Sequence, residues 1–535
     1  MAAFDRRTAL TRLAEEHFDV LVIGGGITGV GCALDAAARG LSVALVERDD
    51  FASGTSSKSS KLVHGGLRYL QQKEVGLVYE ALAERQVLRT TAPHLVRIVP
   101  FLLPVYSGKD GLFDRRIARV VGTSMWMYDF TGGVRIGKLH ERISKQDALA
   151  HVKTLRPERI AYAYLYYDAQ TDDARLTLTI ARTAAEYGAC IANYARVTGL
   201  LRDGARVAGA RIEADGETIE VRARTVVNAT GVWADEVRAL DEGTHPASIR
   251  PAKGVHVTVP WSKIQNDIAA VVPVPKDRRS VFVVPWGDKG DGTPEFTYIG
   301  TTDTDYDGSL DDPQCTSADI EYLLRAINFS CSSGVTEADV VGSWAGLRPL
   351  VRAAANGRTA DLSRKHSVRA SASGLVTVTG GKLTTYRRMA ADTVDLVVEE
   401  LGRSAPSTTK RVPLLGAAAW DTTGCGDHLE GRYGGLAREV AALSLSAPEL
   451  AEPLVPGLPY CKAEAVYAVR DEMARTLDDV LSRRTRARLL GRDASAAAAD
   501  DIAELIAPEL GWSPAEAAAQ AAAYRAAVEH EREPA

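Results

Sequence analysis

The chain has 535 residues, 46% of them hydrophobic and 25% charged, with a formal net charge of -5. At about 100–200 residues per domain this length calls for two to four domains, in an ordinary globular mix. The slightly negative balance excludes a global basic field for nucleic acid, so any anion site must be local.

Six cysteines, Cys32, Cys190, Cys315, Cys331, Cys425 and Cys461, form no C-x-x-C pair. Neither a zinc site nor a dithiol centre is expected, and a reducing cytoplasm fits better than a disulfide scaffold. The first twenty residues carry acidic groups and no apolar core of signal-peptide length. No run of about 18 apolar residues predicts a spanning helix.

In chain order, Phe18–Ile23 reads as a short buried strand, followed by GGGITG, an Ala-rich helix ending near Gly40, and a second strand ending at Glu47. Ser53 to Gly66 is rich in Ser, Lys and Gly and reads as a loop. The stretch after it is largely helical to about Pro93, and 95–160 mixes short apolar runs with Pro and Gly. A helix is predicted at 174–187, then strands around 190–226 with turns at Asp203-Gly204 and Asp215-Gly216. Arg224–Gly231 runs from strand into glycine, 250–304 is β-rich, and GLVTVTGGKLTTYRRMAADTVDLVVEEL is a strand, a glycine turn and a long helix. The polar stretch at 403–410 is the predicted linker, with an Ala-rich helical region beyond.

Gly24, Gly26 and Gly29 form G-x-G-x-x-G between strand and helix, with Glu47 18 residues past Gly29. The glycines permit a tight turn, close approach to a pyrophosphate and close helix–strand packing, and the helix N-terminus offers N–H groups to the diphosphate. Glu47 can accept from a ribose 2′-OH and would repel a 2′-phosphate. This pattern alone does not separate NAD from FAD. Three features favour FAD: the hydroxyl-, lysine- and glycine-dense Thr55–Leu70 segment directly after the second strand, Gly231 ending VVNATG as a second backbone approach, and Gly380, Gly381 and Lys382 just before a helix. A helix N-terminus and a lysine stabilise negative charge on a reduced flavin.

TSSKSSKLVHGGLRYL, GTTDT, WAGLRPL and GGKLTTYR, taken together, resemble the FAD-dependent glycerol-3-phosphate dehydrogenases of the D-amino-acid-oxidase-like superfamily. The resemblance covers about residues 18–400 and continues through Tyr467–Leu490. It implies non-covalent FAD, oxidation of glycerol 3-phosphate to dihydroxyacetone phosphate, and electron transfer to a membrane quinone. It also places the loop hydroxyls Thr55, Ser56, Ser59 and Ser60, with Ser57 between them, on FAD, together with Gly381, Lys382, Leu383 and Thr384 of GGKLTTYR. The expected fold is α/β: a Rossmann-type FAD-binding domain (1–95, 165–245 and 340–402), an interleaved β-rich substrate domain (96–164 and 246–339) and a C-terminal helical cap (411–535).

Such a substrate needs planar donors for its phosphate, a base for the C2 hydroxyl as hydride leaves C2 for flavin N5, and cations for the developing carbonyl oxygen. Arg68 with Tyr69, Arg348 and Arg364 are the phosphate candidates; similarity to the family assigns the grip to Arg68, Tyr69 and Arg364, and puts Arg348 and Lys382 at the reacting C1–C2 end. His256 is a further substrate contact and a candidate base, with His64 its rival. His366 reads as a support for Arg364, Thr301, Thr302 and Asp303 as a β-hairpin floor, and Ser124–Phe130 as core.

Residues 112–125 fit a surface helix with Phe113, Ile117, Val120 and Val121 on one face and Arg115, Arg116 and Arg119 elsewhere. It reads either as a core-packed amphipathic helix or as an anchor on anionic lipid at the inner face of the cell membrane. Ser482–Arg492 reads as a solvated basic helix face or a subunit contact, leaving a homodimer open. The competing functions are a glycerol-3-phosphate oxidase using oxygen, an amine or amino-acid oxidase, and a non-catalytic flavin sensor.

Overall fold

The structure, a computed structural model, describes residues 4–66, 74–106, 125–126, 128–129, 137–245, 247–277, 279–287, 291–351 and 365–532. The predicted 112–125 helix therefore lies outside the described residues except for Met125, which is fully buried.

Two sheets organise the chain. In the first, parallel strands run in the order Val376–Thr379, Glu217–Asn228, His17–Ile23, Val43–Val46, Cys190–Ala192. Their apolar runs are buried on both faces, as covered parallel strands require. Helices Ile27–Ala38, Asp173–Glu186 and Tyr386–Glu400 share one core cluster with Val20, Val22, Val43 and Leu45. The chain order reverses beside His17–Ile23, where open α/β sheets place a ligand. Arg196–Asp203 and Arg206–Ala214 extend Glu217–Asn228 as an antiparallel meander, turning at the two predicted Asp-Gly positions.

The second sheet has ten strands, and its long pair is Ile249–Pro260 against Gly342–Val351, with His256 opposite Trp344, Gly254 opposite Gly346 and Ala252 opposite Arg348. Val255, Val257 and Val259 point into the core with Ile320, Leu323 and Ile327 of helix Ser317–Ser330. The alternate residues Gly254 and His256 face the cleft described below. Leu62–Val63 and Gly342–Val351 pair in this sheet, although both fall in segments expected in the nucleotide domain.

Past residue 410 the chain is helical, from Asp427–Tyr433 to Pro514–Arg532. The stretch expected to be a plain linker is pinned to the nucleotide domain: the Ser407 and Thr409 hydroxyls donate to Asp35, which also pairs with Arg39. The basic cluster 482–492 is not a solvated helix face. Arg484 and Arg486 are almost fully buried and pair with Asp50 and Asp173, Arg483 pairs with Asp50, Asp478 and Asp479, and Arg488 pairs with Asp478 and Glu531. Burying guanidinium groups is tolerable only with such carboxylate partners. Arg175 and Arg182 complete this seam from the nucleotide side by pairing with Glu472.

Candidate active site

A cleft of about 450 Å³ opens at the carboxyl ends of His17–Ile23, Val43–Val46 and Glu217–Asn228. Gly24, Gly26, Glu47, Thr230 and Gly231 line one part of it; Gly254, His256, Arg348, Gly380, Gly381 and Lys382 line another. Gly24 has φ +112°, and a Cβ there would sit 2.8 Å from the Ala229 carbonyl oxygen, so the turn admits only glycine.

Glu47 accepts the Gly25 N–H at 2.5 Å and the Asp49 N–H at 2.9 Å. Burial pushes its carboxyl up to about 7 against the pull of those two bonds. The helix N-terminus is partly engaged by the protein itself, since the Ser56 hydroxyl accepts the Ile27 N–H at 2.9 Å. Glu47 and Ser56 thus share the donors of the glycine turn.

The loop from Ser53 to Lys61 walls the cleft. Its only regular piece is the 3-10 turn Thr55–Ser57, so its shape comes from tertiary bonds. Thr55 donates to the Leu347 carbonyl at 2.5 Å, Trp344 donates to the Ser59 carbonyl at 3.1 Å, and the Tyr298 hydroxyl donates to the Ser60 carbonyl at 2.9 Å. The register partners Gly254 and Gly346 make room beneath it; a Cβ on Gly346 would sit 2.6 Å from the Lys58 carbonyl oxygen. The Ser59 hydroxyl, expected on the cofactor, donates to Asp173 at 2.7 Å. The Ser60 hydroxyl meets His256 Nε2 at 2.9 Å.

His256 is buried and stacked on Trp344, with ring centroids 4.8 Å apart and 6° between planes. A Cβ on its opposite neighbour Gly300 would overlap the ring. Burial, and then the nearby Lys61 and Arg348 cations, hold its pKa well below the ordinary value. His256 Nδ1 is buried without a hydrogen-bond partner among the described residues. His64 also lines the cleft, its backbone N–H donating to Thr384 Oγ1 at 3.2 Å and its ring edge-on to Phe282.

Arg348 is oriented by the segment expected to be a hairpin floor. Its guanidinium donates to Thr301 Oγ1 at 3.2 Å, the Thr302 carbonyl at 3.2 Å and Asp303 at 3.3 Å. Thr301–Asp303 follows strand Phe296–Gly300 and serves as an arginine cradle. A Cβ on Gly254 would overlap Arg348 Nη2, so that glycine lets the side chain fold back along the sheet toward His256. The sequence reading missed Gly254, Gly346 and Trp344 as site residues; the last two stand in or beside WAGLRPL, where only Arg348 drew attention. Lys382, Leu383 and Thr384 line the cleft at the start of the turn Leu383–Thr385. Arg68, Tyr69 and Arg364 lie outside the described residues. His366 pairs with Asp392 at 2.9 Å.

Residues 19–387 match the FAD dependent oxidoreductase family, and 407–517 match the C-terminal domain of alpha-glycerophosphate oxidase. A glycerol-3-phosphate dehydrogenase of Mycobacterium leprae (strain TN) is 43% identical over 98% of this chain and 90% of its own length. The chain belongs to the FAD-dependent glycerol-3-phosphate dehydrogenases. The mitochondrial glycerol-3-phosphate dehydrogenase of Homo sapiens is 39% identical over 94% of this chain and 72% of its own. A crystal structure of glycerol-3-phosphate dehydrogenase from Bacillus halodurans, complexed with FAD, superposes with a TM-score of 0.79 at 31% identity, covering 99% of this chain and 97% of that one.

The protein is therefore an FAD-dependent oxidoreductase, and its cleft fits the cofactor. The glycine turn and helix start suit a diphosphate, Glu47 a ribose, and the far wall carries Lys382 beside the glycine pair Gly380-Gly381. A glycerol-3-phosphate dehydrogenase also needs cationic and basic groups near the flavin, and Arg348, Lys382, His256 and His64 all line this one cleft.

Proposed function

We propose that the chain oxidises sn-glycerol 3-phosphate at C2 to give dihydroxyacetone phosphate, and that the electrons leave for a membrane quinone. The convergence of Arg348, Lys382 and His256 on the cofactor cleft supports this reading. FAD, when bound, supplies the acceptor for the hydride from C2. Arg348, held on three sides by Thr301–Asp303, donates to the oxygen that gains charge as the C2 hydroxyl proton departs. Lys382 adds a second cation there. His256 is the acceptor for the hydroxyl proton, its Nε2 meeting the Ser60 hydroxyl at the cleft. The phosphate is gripped by Arg68, Tyr69 and Arg364.

The curated relatives at 38–44% identity are named dehydrogenases, whereas the likeness to an oxidase structure, at 18% identity, bears on the fold alone. This favours the dehydrogenase over oxygen-linked chemistry. Among the described residues no helix is long and apolar enough to cross a membrane; the 112–125 segment, read from the sequence as an amphipathic surface helix, is the candidate for contact with the quinone's membrane.

Anaerobic addition of sn-glycerol 3-phosphate to the yellow protein is expected to bleach the flavin, and D-amino acids are expected to leave it oxidised. Bleaching by D-amino acids alone would overturn the substrate assignment. The acid limb of kcat/KM should lie well below pH 6.5, because His256 stays neutral there. The sign is that of a depressed histidine: below about 6.5 the unfolded chain binds the proton first, so stability falls with pH through that window while the folded base remains competent. A limb centred at 6.5, abolished in His256→Asn, would contradict the buried neutral base.

A further inference from the structure

The cofactor loop is clamped from a second direction, by the C-terminal region. Arg486, on the far side of the cap seam, is 1% exposed, and its Nη2 donates to the Ser57 carbonyl and to Asp173 Oδ1, both at 2.6 Å. Asp173, the first residue of helix Asp173–Glu186, is fully buried. Its Oδ2 accepts the Ser59 N–H at 2.9 Å and the Ser59 hydroxyl at 2.7 Å, and its Oδ1 also receives Lys61 Nζ at 3.1 Å. Lys61 reaches back to the Ser57 carbonyl at 3.1 Å and lies 4.6 Å over the Trp344 ring. One carboxylate and one carbonyl thus gather Ser57, Ser59 and Lys61 around a single guanidinium. Upstream, Arg484 grips Asp50 at 2.6 and 2.8 Å, three residues past Glu47.

We propose that Arg486 is a positioning residue for the cofactor: through Ser57 and Asp173 it fixes the loop that carries Ser56 to the helix N-terminus and Ser60 to His256. This rests on the reading of the cleft as the FAD site. Without Arg486, Lys61 is the cation left to both the Ser57 carbonyl and Asp173, and burial has already pushed its amine down to about 8. The loop then loses its fixed shape between the two hydroxyls that face the cleft. Lys61 already meets the same two acceptors as a flexible ammonium; the guanidinium adds donors held in a fixed plane, which a second ammonium would not reproduce.

The test compares purified holoenzymes by equilibrium dialysis of FAD and by the visible spectrum of the saturated proteins. The control is Arg182→Gln, which breaks another ion pair of the same seam, with Glu472, and a hydrogen bond to the Tyr467 hydroxyl, neither of them a residue lining the cleft. Arg486→Gln is expected to raise the FAD dissociation constant at least tenfold and to shift the flavin absorption band, Arg486→Lys to raise the constant severalfold, and Arg182→Gln to leave both within twofold of wild type. If Arg486→Gln does not fold, the comparison of Arg486→Lys with Arg182→Gln decides. Equal FAD affinity in the Arg486 and Arg182 variants, whether retained or lost, would overturn the proposal. A wild-type protein that takes up no FAD would instead overturn the cofactor reading on which it stands.

Discussion

Arg348→Ala should lower kcat by about 10²–10³-fold, the usual cost of removing a preorganised donor to a developing oxyanion, while the protein still purifies yellow. The side chain is held in advance by Thr301, the Thr302 carbonyl and Asp303, and it lies over a glycine, so it has no reorganisation to undergo as charge builds. Arg348→Lys should be nearly as slow. A lysine keeps the charge but cannot bridge the Asp303 carboxylate and the threonine acceptors while aiming at substrate. Stopped-flow reduction of the bound flavin separates this from product release. A reductive half-reaction slowed less than tenfold in Arg348→Ala would reduce the residue to a brace for the 301–303 segment.

The second large effect is expected at Gly29. A methyl group there would overlap the Gly24 carbonyl oxygen, which is backbone just past the strand end and anchored by the Gly24 N–H bond to the Val46 carbonyl. Helix Ile27–Ala38 would have to lift from the turn, taking the Ile27 and Thr28 backbone with it. Gly29→Ala should cost about 1–3 kcal/mol as an overpacked contact, seen as a lower Tm of the apo-protein. More plainly, it should yield colourless protein, because the displaced helix start carries the Thr28 N–H toward the diphosphate position and the Ile27 N–H that holds Ser56. A Gly29→Ala protein fully loaded with FAD and with wild-type Tm would mean that the helix start does not hold the cofactor.

Which features show in the sequence follows from the range of the interactions that make them. The βαβ start, the two Asp-Gly turns and the strand–glycine–helix at 376–400 are encoded within a few residues and are visible as pattern. Strand Arg97–Tyr106 is not, because Pro100 and Pro104 argue against a central strand. It is nevertheless paired along its length with Ile160–Gln170 and flanked by Ala269–Pro273, whose ladder meets it only at Phe101 and Leu102, between the prolines. Likewise Arg348 and His256 stand out as residue types, but Gly254 and Gly346 acquire meaning only when register sets them opposite each other. The arginines at 483–488 look like surface charge until the fold brings Asp50 and Asp173 to them from more than 300 residues away. Ser59 illustrates the converse: its motif points to the cofactor, yet its hydroxyl turns to Asp173.

The seam of arginines and carboxylates between the two family-defined segments also limits how this architecture can be reshuffled. Asp50 and Glu472 have their counter-ions on the opposite side of that boundary, and Asp173 has Arg486 there beside Lys61 on its own side. Cutting the chain there would strand charges in low dielectric on both fragments. The helical C-terminal region is therefore not a detachable accessory: gene fusion, excision or exchange at the 403–410 stretch would have to carry matched ion pairs along with it.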